Sequence, residues 1–190
     1  MTMRVVKVAI LALLVSSLLG PGSLAARQNG QAQNGARNSD AYIQREVGHE
    51  LAMVPRYTVF DILRYSVSGS EVTLMGQVTQ PWVKSDAESA VKHIEGVEKV
   101  NDQIEVLPPS PMDDQTRRAE YRAIYSSGDL SRYGEGALQS IHIIVKGGHV
   151  TLEGSVVSQQ DKDAAGIYAK SVPDVFSVDN QLTVTGSGSK

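Results

Sequence analysis

Seven residues in one stretch, Arg117, Arg118, Tyr121, Arg122, Tyr125, Arg132 and Tyr133, combine guanidinium groups with phenols. Guanidiniums pair with phosphate, and a tyrosine suits a boundary where one end is apolar and the other wet. On a helix and the loop after it, such a set could meet anionic headgroups. The same residues equally suit a helix whose tyrosines pack on a sheet while its arginines stay in water. Trp82, the chain's one tryptophan, also has two readings. It is an interfacial anchor, or it caps the edge of a core.

Other chemistry finds less to work with. His49, His93, His142 and His149 show no metal-ligand spacing with one another or with a carboxylate on one helix, so solvated or locally hydrogen-bonded imidazoles are expected. There is no Gly-x-Ser-x-Gly elbow, and Gly134-Glu135-Gly136 does not sit in a strand-to-helix nucleotide fingerprint. The carboxylates are scattered as on a solvated face. No catalytic residue, metal ligand or cofactor is expected.

Composition narrows the partner. Arg4 and Lys7 precede an apolar run from Val8 to Leu19, then Gly20-Pro21-Gly22 and a small-residue site at Ser23-Leu24-Ala25. That run is too short to span a bilayer, so residues 1–25 read as a secretory signal peptide; a retained N-terminal anchor is the alternative. Cleavage removes Arg4 and Lys7 and no carboxylate, so the net charge of −3 becomes −5. An acidic chain lacks the basic face that nucleic acid requires. With no cysteine it has no disulfide and no lipid-modified cysteine. An exported, soluble, periplasmic protein is expected, not a lipoprotein.

The elements that must position these residues come in two copies. Shifted by 78 residues without a gap, 67–106 lies on 145–184 with fourteen of forty positions identical, among them Gly69, Val72, Thr73, Leu74, Gly76 and Ala87. After a disordered leader (26–39), Asp40 is the expected N-cap of a helix striped by Ile43, Val47, Leu51 and Val54, ended by Pro55. Strands follow at about 61–68 and 71–78, joined by a tight primed turn at Gly69-Ser70, with Gly147-Gly148 as its counterpart. Gly76 and Gly154, inside strands, mark a close backbone approach, expected to admit the next helix. Pro81 opens that helix, and Ser158 with Asp161 resembles a capping box in the second copy. The inner helix faces carry Val83, Ala87, Val91 and Ile94, then Ala165, Ala169 and Val172. A third strand, near 98–106 and 176–184, must lie parallel to the second, because a helix crosses between them. A Pro-rich linker at 108–112 separates the units. Asp113 or Asp114 would cap a helix to Tyr125, and 186–190 form a flexible tail.

Glycine-turned Val-Thr-Leu-x-Gly strands (Gly69 to Val78; Gly147 to Val156) followed by Gly96-Val97-x-x-Val100 and Asp174-Val175-x-x-Val178 elements make the chain similar to the BON domain, over nearly all of 42–184. Asp174 departs from the glycine usual there. The resemblance implies an α+β fold, an α/β sandwich: two tandem α-β-β-α-β units (40–107 and 113–185), each a three-stranded mixed sheet packed by two helices. It also implies a non-catalytic envelope role, through phospholipid contact, membrane integrity or osmotic stress tolerance, and it transfers no site residue. Anionic phospholipid is the first expected partner. Envelope proteins, bound in a chaperone-like way, are the second. Units this small bury little surface, so packing between the two, or a homo-oligomer, is expected to support them.

Overall fold

The computed structural model describes residues 39–135 and 139–186. The expected signal peptide, nearly all of the leader, and 187–190 lie outside these. Ser39, counted with the leader, is instead the N-cap of α1 (Asp40–Ala52): its hydroxyl accepts the Tyr42 N–H at 3.3 Å, and Asp40 is the first helical residue. Ile43, Val47 and Leu51 form the buried side of α1, with Val54 buried just beyond it.

β1 (Ile62–Ser68) and β2 (Glu71–Val78) form an antiparallel hairpin; α2 (Pro81–Lys92) then crosses to β3 (Lys99–Val106), which lies parallel to β2. β2 is therefore the centre of the first sheet. The second unit repeats this with α3 (Pro111–Tyr125), β4 (Ile141–Lys146), β5 (His149–Val156), α4 (Gln159–Lys170), β6 (Ser177–Asn180) and β7 (Thr183–Val184). β6 and β7 are one interrupted strand, since Val150 faces Val178 and Val156 faces Val184 in a single register on β5. Each unit is thus a mixed sheet of three rows with two helices, as its residue pattern requires.

The turns differ between copies. In the first, φ is positive at Gly69 alone, the pattern of a II′ turn; in the second it is positive at both Gly147 and Gly148, the pattern of I′. The interior strand glycines need a different reason from the one expected. A Cβ at Gly76 would stand 2.0 Å from the Ile62 carbonyl oxygen, and one at Gly154 2.1 Å from that of Ser140. The close approach is therefore to the neighbouring strand's backbone, not to the following helix. Asp174 takes φ 65, the left-handed conformation that Gly96 holds in the first copy, so its turn is kept.

α3 begins earlier than expected. Ser110 is its N-cap and Pro111 its first residue, where the missing N–H is no loss, so the stiff spacer is shorter than 108–112. Asp113 does not cap; its carboxylate accepts the N–H groups of Gly147 and Gly148, each at 2.9 Å, and ties α3 to the β4–β5 turn. At the other end Gly186, the first residue of the expected tail, packs on the Val157 backbone.

Each unit has its own apolar core, but the partition is not clean. Val59 and Phe60, from the loop before β1, belong to the core of the second unit, and the Ile143 N–H donates to the Val59 carbonyl at 2.7 Å. Ile62, Leu107 and Ile144 form a small third cluster between the sheets. Two ion pairs cross as well, Arg64 to Glu153 at 2.7 Å and Lys146 to Glu105 at 2.6 Å.

Candidate binding cleft between the units

The loop from Arg56 to Phe60 and the first turn of α2 face the outer part of α3. Between them lie two adjoining hollows, each of about 390 Å³. The first is walled by Arg56, Phe60, Trp82, Asp114, Arg117 and Arg118; the second shares Trp82, Asp114 and Arg117 and adds Val106, Pro108 and Pro109. Pro81 starts α2 where the β2 strand ends, which sets Trp82 on the rim, 43% exposed. The Arg56 guanidinium lies 5.2 Å from the centre of its ring, a cation–π contact, and 3.8 Å from the Asp86 carboxylate. Arg56 itself has φ 61, uncommon for a side-chain-bearing residue. Beneath the loop, Asp61 is wholly buried and accepts from the N–H and hydroxyl of both Thr58 and Thr79.

The eight residues expected to touch a membrane divide into two groups. Trp82, Arg118 and Tyr121 are exposed around the cleft mouth, Tyr121 packing on Phe60 and Tyr125 at ring distances of 6.3 Å and 4.9 Å. Arg122, also exposed, looks into a separate small hollow with Met112 and Pro173. The other four are used internally. Arg117 is only 4% exposed; it donates to Asp114 and to the Val145 carbonyl, both at 2.6 Å, and its Nε–H meets no acceptor. Tyr125 is buried with its hydroxyl donating to the Ile141 carbonyl. Tyr133 is buried too: its hydroxyl donates to Asp161 at 2.8 Å and accepts the Val157 N–H at 2.9 Å. Arg132 is exposed but clasped to the same Asp161 carboxylate at 2.7 Å. Tyr125 and Tyr133 follow the second reading, tyrosines packed inside, which corrects their place among the membrane-contact residues; Arg117 is a correction to both readings, since it is neither at the surface nor in water.

Arg56 and Phe60 were missed. A signal for Arg56 did exist: Arg56-Tyr57 echoes Arg132-Tyr133, but two residues out of the 78-residue register that aligns the strands. Glu120 was missed as well. It is fully buried in α3 with neither carboxylate oxygen hydrogen-bonded, and burial pushes its pKa up to about 8.

The histidines follow the expected local pattern in part. His93 and His149 hydrogen-bond to the Ser89 carbonyl and the Ser177 hydroxyl. His142 instead stacks beside Tyr57 at the junction of the units, its Nδ1 unpartnered, and burial holds its pKa below the ordinary imidazole value. Among the described residues no helix is long and apolar enough to cross a membrane.

Comparison with known proteins gives one family. The pattern of the BON domain matches 39–108 and again 129–186, the second match beginning after α3. No curated protein matches the chain. Among solved structures, CdsD, a structural protein of the type III secretion system of Chlamydia trachomatis, aligns at 11% identity with a TM-score of 0.30, covering 75% of this chain and 91% of that one. Its C-terminal domain gives the same identity and score over 74% and 96%.

Proposed function

This chain belongs to the BON-domain family, matched twice, and we propose that it is a non-enzymatic envelope protein that holds anionic phospholipid surfaces and so supports envelope integrity under osmotic stress. One observation carries the reading: Trp82, Arg56, Arg118, Phe60 and Tyr121, from both units, meet around one open cleft. An indole with a guanidinium over its face suits the boundary between acyl chains and phosphates. The net acidity of the chain makes the attraction local, so binding should need the cleft rather than the whole surface.

Co-sedimentation with anionic and zwitterionic vesicles, at low and physiological salt, tests this. Binding to anionic vesicles alone is expected, weakened by salt, with a blue shift of the single tryptophan. It should be lost in an Arg56→Glu, Arg118→Glu double variant. Equal sedimentation of that variant would remove the cleft from the reading, and no sedimentation of the native chain would end it.

A second reading, recognition of other envelope proteins, draws on the first sheet's edge. Among the described residues β3 pairs with β2 alone; Lys84 and Asp102 cover the C=O and N–H of Ile104, and an extended segment could add a strand by displacing them. Cross-linking from β3 in the envelope, retained when lipid binding is abolished, would favour it.

A further inference from the structure

The 56–61 loop belongs to the first unit by sequence and is fastened to both. On its own side, Asp61 accepts four bonds from Thr58 and Thr79, and the Tyr57 hydroxyl accepts the Leu63 N–H at 3.4 Å. On the other side, Val59 enters the second core with Phe60 packed against it, and the Val59 carbonyl accepts the Ile143 N–H at 2.7 Å. Arg56, at φ 61, holds a conformation that side-chain-bearing residues avoid. The loop therefore keeps its path through its contacts and not through backbone preference.

Beside Ile143 on β4 stands His142. Its ring lies 5.5 Å from that of Tyr57, and its Nδ1 is closed to solvent with no partner. A neutral imidazole tolerates this, with Nδ1 as the bare nitrogen. An imidazolium does not, because both ring nitrogens then carry a proton that needs an acceptor.

Two carboxylates face the ring, and both are already engaged. Asp61, from the loop itself, is taken up by its four donors. Glu153 stands opposite His142 in the β4–β5 register, on the same face, and is bound by Arg64 of β1 at 2.7 Å. The Tyr57 phenol, pushed up to about 12 by burial, stays neutral. Burial holds the His142 pKa below the ordinary imidazole value, outweighing the carbonyls of Asp61 and Thr58 and the Asp61 charge. Next to the ring is an open hollow of about 240 Å³, walled by Leu51, Tyr57, Leu63, Tyr65 and Gln139. It gives the ring a way to water once Tyr57 is released.

We propose that His142 is an acid-released latch: protonation of its ring parts it from Tyr57, frees the Val59 carbonyl from the Ile143 N–H, and lets the 56–61 loop leave the second unit. Arg56 and Phe60 wall the cleft on this side, so the latch opens that wall as well. The latch does not depend on what the cleft binds. Only acid control of lipid binding rests on the phospholipid reading above.

In the open loop the ring regains the ordinary pKa of 6.5, above that of the closed one. The open state therefore binds more protons, and opening is favoured as pH falls below 6.5. From pH 7.5 to 5.5 the opening equilibrium rises by up to about tenfold.

The test is hydrogen exchange of the full chain at the Ile143 amide, expressed as protection so that the intrinsic pH dependence of exchange cancels. Protection at Ile143 should fall by up to about tenfold over that range, while that of Leu74, at the centre of the first sheet, should not fall. His142→Phe keeps a ring against Tyr57 with no proton to gain, and its Ile143 protection should not fall either. A level profile in the native chain, or an equal fall in His142→Phe, overturns the latch. Should that variant pack poorly, the native protein decides alone. Its His142 ring resonances should then titrate below pH 6.5, and a midpoint at or above that value overturns the proposal.

Discussion

The first helices of the two units, α1 and α3, cover equivalent sheets with opposite chemistry. α1 presents Ile43, Val47 and Leu51, a dry stripe at helical spacing. α3 presents Asp113, Thr116, Arg117 and Glu120 before reaching Ile124 and Tyr125. Apolar stripes gain free energy simply by leaving water, whereas each buried polar group must find a partner or be a net cost. Asp113 finds two N–H groups, Arg117 finds a carbonyl and a carboxylate, and Glu120 finds nothing. The first unit is thus built for stability. The second spends part of its helix on fixing the β4–β5 turn and the cleft wall.

Glu120 offers the largest test of that contrast. In the folded chain it keeps its proton up to about pH 8, whereas the unfolded chain releases it near 4.5. The unfolded state therefore binds fewer protons across this window, so stability falls as pH rises from 4.5 to 8 and levels off above, by on the order of 4 kcal/mol. His142 acts with the opposite sign. Its folded pKa is depressed below 6.5, so its contribution rises with pH as the unfolded chain loses the proton. The quantity to measure is the difference in denaturant midpoint between the native chain and Glu120→Gln along the pH series. A difference that does not change with pH would show the carboxyl to be solvated.

Carrying a polar group into the other helix should cost nearly as much. Val47→Asn buries an amide with no partner and is expected to lose about 3 kcal/mol, whereas exposed Gln44→Asn should be almost neutral. If urea unfolding shows Val47→Asn to be equally mild, the dry stripe is not what secures α1. Asp113→Ala removes two charge-assisted bonds and leaves the N–H groups of Gly147 and Gly148 without them, for about 2 kcal/mol. Hydrogen exchange should quicken at those two amides before it does elsewhere. The helix starts give the smallest contrast: Ser158→Ala should cost about 1 kcal/mol and Gln80→Ala only a few tenths. Thermal melts giving equal losses would contradict the difference in capping.

These contrasts also explain what could be read without coordinates. The strands, hairpins and α2/α4 were legible because alternation and apolar spacing are local patterns, and the 78-residue repeat states them twice. The inner stripe of α3 was illegible for the same reason, since a face of Asp, Thr, Arg and Glu resembles a solvated one. For Tyr125 and Tyr133 the sequence leaves two readings open, surface or packed on the sheet, because a phenol's partner, here a carbonyl or a carboxylate distant in sequence, leaves no trace in spacing. Trp82 and Arg118 were both singled out, but nothing in the order of residues placed them at one cleft. That depends on how the loop holding Val59 crosses to the second unit.

That crossing bears on how the protein comes to be folded. A chain synthesised amino end first completes the residues of unit one while β4 is still to come. Until it arrives, the Val59 side chain has no core to enter and its carbonyl no Ile143 N–H to accept. The earlier half therefore waits with a sticky, half-finished loop, a contact of long sequence separation that slows folding and invites aggregation. A repeat that looks like two beads on a string is, in the order of its assembly, a single object that is finished last at its first loop.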